Sequence, residues 1–111
     1  MKQPEELCKK FNGKLLANYC VIGDNREVTI SLWTHFTKDK SKEQMNEDDI
    51  KAILNLAKTQ PRDNWHFFAK EKINNTLFYK AQAYTGSLLK KGEYYGWQFL
   101  VNKEGFIAKQ Q

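Results

Sequence analysis

In three runs of the C-terminal half, apolar residues recur at every second position: Trp65, Phe67 and Ala69; Leu77, Tyr79, Ala81 and Ala83; Tyr95, Trp97, Phe99 and Val101. A period of two is the pitch of a pleated strand, and an α-helix would scatter such a row around its circumference. The pattern predicts strands over 64–71, 76–84, 94–101 and a short one over 105–109. Between them stand the turn-forming stretches Ile73-Asn74-Asn75, Thr85-Gly86-Ser87, Lys90-Lys91-Gly92 and Asn102-Lys103-Glu104-Gly105. Residues 26–36 alternate in the same way, with Val28, Ile30 and Leu32 pointing one way and Thr29, Ser31, Trp33 and His35 the other. Residues 14–22 read as the preceding strand of a hairpin, turned at Gly23-Asp24-Asn25.

Two helices are expected. Over 4–12, Pro4 suits the first helical position, Glu5 and Glu6 sit at the positive end, Lys9 and Lys10 at the negative end, and Asn12-Gly13 stops the helix. Leu7, Cys8 and Phe11 form its apolar stripe. The second helix is capped by Asn46, carries Glu47, Asp48 and Asp49 in its first turn, and presents Ile50, Ile53, Leu54 and Ala57 at i, i+3, i+4, i+7 before Lys58 and the terminating Pro61. The polar, Lys-rich segment 37–45 is read as a solvated connection. At 111 residues the chain matches one domain. The expected architecture is a single α+β domain, 1–111: a twisted antiparallel sheet of about five strands, the main helix packed on one face, and a short N-terminal helix closing one end.

Composition narrows the classes. Three Trp, five Tyr and seven Phe supply area for a core and argue against disorder, and no apolar stretch approaches the roughly 18 residues of a membrane span. Eighteen Lys+Arg against thirteen Asp+Glu give a net charge of +5, which favours acidic partners, either nucleic acid or an acidic protein surface. A membrane surface is disfavoured by the three acids opening the second helix. Acids follow Lys2 where a signal peptide would be apolar, which points to the cytoplasm. Cys8 and Cys20 are then expected as free, buried thiols, and the Asn74-Asn75-Thr76 sequon as silent. No metal-ligand spacing or cofactor motif is found, so no cofactor is expected.

Strand alternation sorts the side chains into two faces. The helix should cover Val28, Ile30, Leu32, Trp65, Phe67, Leu77, Tyr79, Ala81, Ala83, Tyr95, Trp97 and Phe99. The opposite face collects Trp33, His35, His66, Phe68, Lys70, Phe78, Lys80, Gln82, Tyr84, Tyr94 and Gln98. That face is either closed over as a second small core or is a binding surface, because contiguous exposed aromatics usually mark one. The first reading is a small basic, non-enzymatic protein that binds single-stranded nucleic acid through aromatic rings interleaved with Lys and amides, with bases stacked on rings and Lys38, Lys40 and Lys42 extending a positive track. A protein-binding inhibitor, immunity or accessory factor would use the same anchors. A small ribonuclease would use His35 and His66 as acid and base, with Lys70 or Lys80 beside the phosphate. A homodimer through an edge strand is a further possibility of such a sheet.

Overall fold

The computed structural model describes residues 4–23, 26–33, 44–59, 64–90, 93–104 and 107–110; for Pro4, 95–97 and 107–110 it describes the backbone path. The elements run α1 (Pro4–Lys10), β1 (Lys14–Leu16), β2 (Tyr19–Ile22), β3 (Val28–Ser31), α2 (Glu47–Thr59), β4 (Asn64–Ile73), β5 (Thr76–Thr85), β6 (Glu93–Asn102) and β7 (Ile107–Gln110). All the strands belong to one seven-stranded sheet in sequential order. The α+β class holds, in a single domain with one main helix and a short N-terminal one.

The sheet is mixed rather than wholly antiparallel. β3 runs parallel to β4, with Val28 opposite Trp65 and Ile30 opposite Phe67, and every other pairing is antiparallel. The reason lies in the connection. Parallel neighbours need a crossover, and α2 supplies it between β3 and β4. The six strand segments of the sequence become seven because residues 14–22 fold back on themselves at Ala17-Asn18, pairing Leu16 with Tyr19. Ala17 takes φ 56° at that turn, a conformation that alanine does not advertise in a sequence. β3 is also shorter than the 26–36 run: it ends at Ser31, and Trp33 makes an isolated bridge to Gln44.

α2 begins as expected. The Asn46 side-chain oxygen accepts from the Asp49 backbone N–H at 2.8 Å, and the Asn46 N–H donates to Asp49 Oδ2 at 2.9 Å, a reciprocal cap. Its stripe of Ile50, Ile53, Leu56 and Ala57 packs on Val28, Ile30, Trp65, Phe67, Tyr79, Ala81, Ala83 and Val101 to form the main core. Each fully buried aliphatic or aromatic side chain there contributes roughly 1.5–3 kcal/mol. Leu56 takes the inner position that the sequence pattern gave to Leu54, which is half-buried at the margin. Met45, read as part of a solvated connection, is fully buried in the same core, and Gln44 beside it is buried too.

α1 lies on the α2 side of the sheet. Leu7 joins the main core, and Lys10 Nζ reaches Glu47 Oε1 of α2 at 2.6 Å. Asn12, at φ 59°, ends the helix, with the Gly13 N–H returning to the Cys8 carbonyl at 2.9 Å. The cysteines correct the sequence reading: Cys8 and Cys20 are joined in a disulfide, with Cα atoms 5.6 Å apart. Twelve residues separate them, but the α1–β1 turn and the β1–β2 hairpin bring both into one small cluster with Leu32. Gly13 is required there, since a Cβ would fall onto both sulfur atoms. Among the described residues, no helix is long and apolar enough to cross a membrane.

Candidate functional site

The face turned away from α2 is built from the middle of β3, β4, β5 and β6. Parallel pairing sets Thr29 opposite His66, and antiparallel pairing sets His66 opposite Gln82 and Gln82 opposite Gln98. One row over, Asn64, Tyr84 and Tyr94 stand in line. Two hydrogen-bonded chains cross this surface.

The first runs Ser31–His66–Tyr94. Ser31 Oγ is bonded to His66 Nε2 at 2.8 Å, and Tyr94 OH to His66 Nδ1 at 2.7 Å. Both partners are hydroxyls, able to donate or accept, so either tautomer of the ring is satisfied. Three aromatic rings surround the imidazole: Tyr19 edge-on at 4.8 Å, Phe68 edge-on at 6.0 Å and Tyr94 stacked at 5.8 Å. Ser31 and His66 are buried, Tyr19 and Phe68 half-buried, and Tyr94 is 42 % exposed.

The second chain is Thr29–Tyr84–Glu27. The Tyr84 hydroxyl donates to Glu27 Oε1 at 2.8 Å and meets Thr29 Oγ1 at 2.8 Å, so Thr29 must donate to it. Glu27 Oε1 also accepts from the Leu88 backbone N–H at 3.2 Å. Asn64 ties the ends together, accepting from the Glu27 N–H at 2.9 Å and donating to the Gly86 carbonyl. The Tyr84 and Tyr94 rings meet edge-on at 5.7 Å and join the two chains. Burial pushes the phenols of Tyr84 and Tyr94 up from their ordinary range; Glu27 adds to the effect at Tyr84, and Tyr19 adds to it at Tyr94.

Only part of the anticipated surface assembles here. His66, Phe68, Tyr84, Tyr94 and Gln82 share the face, but His66 and Tyr84 are sealed within it. Phe78 and Lys80 lie farther along β5, both half-buried, and Lys80 Nζ is 3.4 Å from Glu71 Oε2. Lys70 belongs to the opposite face. Phe67 pairs with Ala81 but Ala69 pairs with Lys80, so Phe68 is an extra residue, a β-bulge that inverts alternation beyond it. Ala69 therefore turns inward on this face, fully buried, and Lys70 turns to α2, where its Nζ lies 2.6 Å from Asp49 Oδ2. Trp33 sits elsewhere, packed against the Cys8–Cys20–Leu32 cluster. His35, Lys38, Lys40 and Lys42 lie outside the described residues.

Sequence reasoning missed Tyr19, Glu27 and Ser31. Ser31 was on the correct face, but its meeting with His66 depends on a parallel register that local pattern does not encode. Tyr19 was hidden by reading 14–22 as one strand. Glu27 carried no signal beyond its charge. No cluster of three or more potential metal ligands occurs among the described residues. Comparisons with protein-family models, with curated proteins and with solved structures give no match.

The arrangement suits recognition. Hydrogen bonds and ring contacts fix the Tyr94 side chain from beneath, so little side-chain freedom remains to be lost on binding. Among the described residues of this face, Lys80 lies beside Glu71, and the register that lines up Lys14, Val21, Thr29 and His66 puts the exposed Lys14 at its outer edge.

Proposed function

We propose that this chain is a non-enzymatic binding protein whose contact surface is the Tyr19–Phe68–Tyr94 end of the second sheet face, and that its partner is a protein. The reading is carried by one observation: an exposed tyrosine held on a buried His66–Ser31 support and flanked by two half-buried rings. Tyrosine and other aromatics in fixed orientation are the usual anchors of protein interfaces. The bulge at Phe68 withdraws Lys70 from this surface, which weakens any phosphate-tracking role. An inhibitor, immunity or accessory role is the form such a module takes. Single-stranded nucleic acid remains the second reading, favoured by the net charge of +5 and by Tyr94 as a stacking ring.

A tagged chain recovered from its own cells, with and without nuclease, separates the two. The protein reading expects a partner retained after nuclease and weakened on the order of tenfold or more by Tyr94→Ala, with Lys80→Ala nearly neutral. Loss of the partner on nuclease treatment, with oligonucleotide binding at about 50 mM salt that fades as salt rises, would replace it with the nucleic-acid reading.

A further inference from the structure

The β4–β5 hairpin turns at Asn74-Asn75, with both residues in the left-handed region at φ 50° and 65°. Asn75-Thr76 completes the pattern Asn-x-Thr with x other than proline. All of residues 71–76 are exposed, and Ile73 is among the exposed large hydrophobic residues. The hairpin tip thus presents the Asn74 side chain on the surface, beside apolar area that a sugar could shield. The turn alone explains an asparagine at 74, and in a reducing compartment the sequon would mean nothing.

The disulfide changes that. Cys8 and Cys20 are both fully buried, bonded to each other, and backed by a glycine whose missing Cβ makes room for the sulfurs. Structural disulfides of this kind form and persist in oxidising compartments. From the bond and the exposed sequon together, we infer that the chain matures in such a compartment and that Asn74 is an acceptor for an N-linked glycan. In the transfer, the Asn74 amide nitrogen bonds to the anomeric carbon of a sugar carried on a lipid diphosphate. The bond from that carbon to the diphosphate oxygen breaks, the lipid diphosphate leaves with the electron pair, and the amide nitrogen gives one proton to a base of the transferase. Nothing is oxidised or reduced.

Mass spectrometry of the full chain isolated from the cells that make it, with thiols alkylated before any reductant, tests this. The expected result is an unalkylated Cys8–Cys20 bridge and a glycan on Asn74 that peptide-N-glycosidase removes, leaving aspartate in its place. Asn74→Gln and Thr76→Ala should each abolish the modification, and Thr76→Ser should keep it. Alkylated Cys8 and Cys20 would overturn the compartment and the glycan together; an intact bridge with bare Asn74 would overturn the glycan alone.

Discussion

Lys70 Nζ and Asp49 Oδ2 lie 2.6 Å apart, across the interface between β4 and the first turn of α2. Asp49 is the hub of that corner. It caps α2 with Asn46, accepts from Tyr79 OH at 2.8 Å, and has almost no access to solvent. Replacing Lys70 by alanine leaves a buried carboxylate short of its cation. The expected loss is about 3 kcal/mol in urea unfolding. Asp49→Asn in the same background should recover part of it, because the uncompensated charge is then gone.

Ser31→Ala and Tyr94→Phe remove the two hydroxyls on His66, but at different depths. Ser31 is sealed, so its loss removes a buried hydrogen bond that water does not readily replace, at about 1–3 kcal/mol. Water can replace the exposed Tyr94 hydroxyl, and the cost should stay below about 1 kcal/mol. Equal costs in thermal or denaturant unfolding would contradict the difference in depth.

Tyr84→Phe deletes the donor to Glu27 Oε1 and the acceptor for Thr29 at once. Two buried polar groups then lose a partner, and the expected destabilisation is about 2–3 kcal/mol. Thr29→Val in the Tyr84→Phe background should add less than it costs alone, since their shared bond is already gone.

Tyr79, Tyr84 and Tyr94 all titrate above the ordinary phenol range, chiefly because burial penalises the phenolate. At Tyr79 the carboxylate of Asp49 adds to the effect. Above roughly pH 10 the unfolded chain releases these protons and the folded chain holds them. Stability contributed by the three phenols is therefore complete below pH 10 and falls as pH rises through the folded values. A spectrophotometric titration should show their ionisation delayed until the chain unfolds, and early, reversible ionisation of all five tyrosines would contradict it.

Reduction of the Cys8–Cys20 bridge frees α1 from β2 and should cost about 3 kcal/mol, the value for a loop of this length. Gly13→Ala should disrupt the same cluster even under oxidising conditions, because the new methyl meets both sulfurs. Unfolding curves with and without reductant give the first quantity directly.

What could be read from the sequence was what repeats at short range. The two-residue rows found β4, β5 and β6, the four-residue stripe and Asn46 found α2, and Asn12 and Asn74-Asn75 marked turns that take positive φ. What escaped depends on one extra residue or on contacts distant in the chain. Phe68 continues the alternation on paper, so nothing local distinguishes a bulge from a regular strand, and Lys70 was placed on the wrong face for that reason alone. Ser31 and His66 are 35 residues apart in sequence and meet through the parallel register. The cysteines looked free because acids rather than an apolar run follow Lys2, and reading 14–22 as one strand hid the hairpin at Ala17 that brings Cys20 beside α1.

The parallel joint between β3 and β4 divides the sheet into two parts of different folding character. Beyond β4, the strands β5, β6 and β7 each pair with the strand before them after only a few intervening residues, so β4 to β7 can zip up from contacts local in sequence. The N-terminal strands can join only after the segment containing α2 has closed, with its larger loop entropy. The barrier to folding should then sit at that closure.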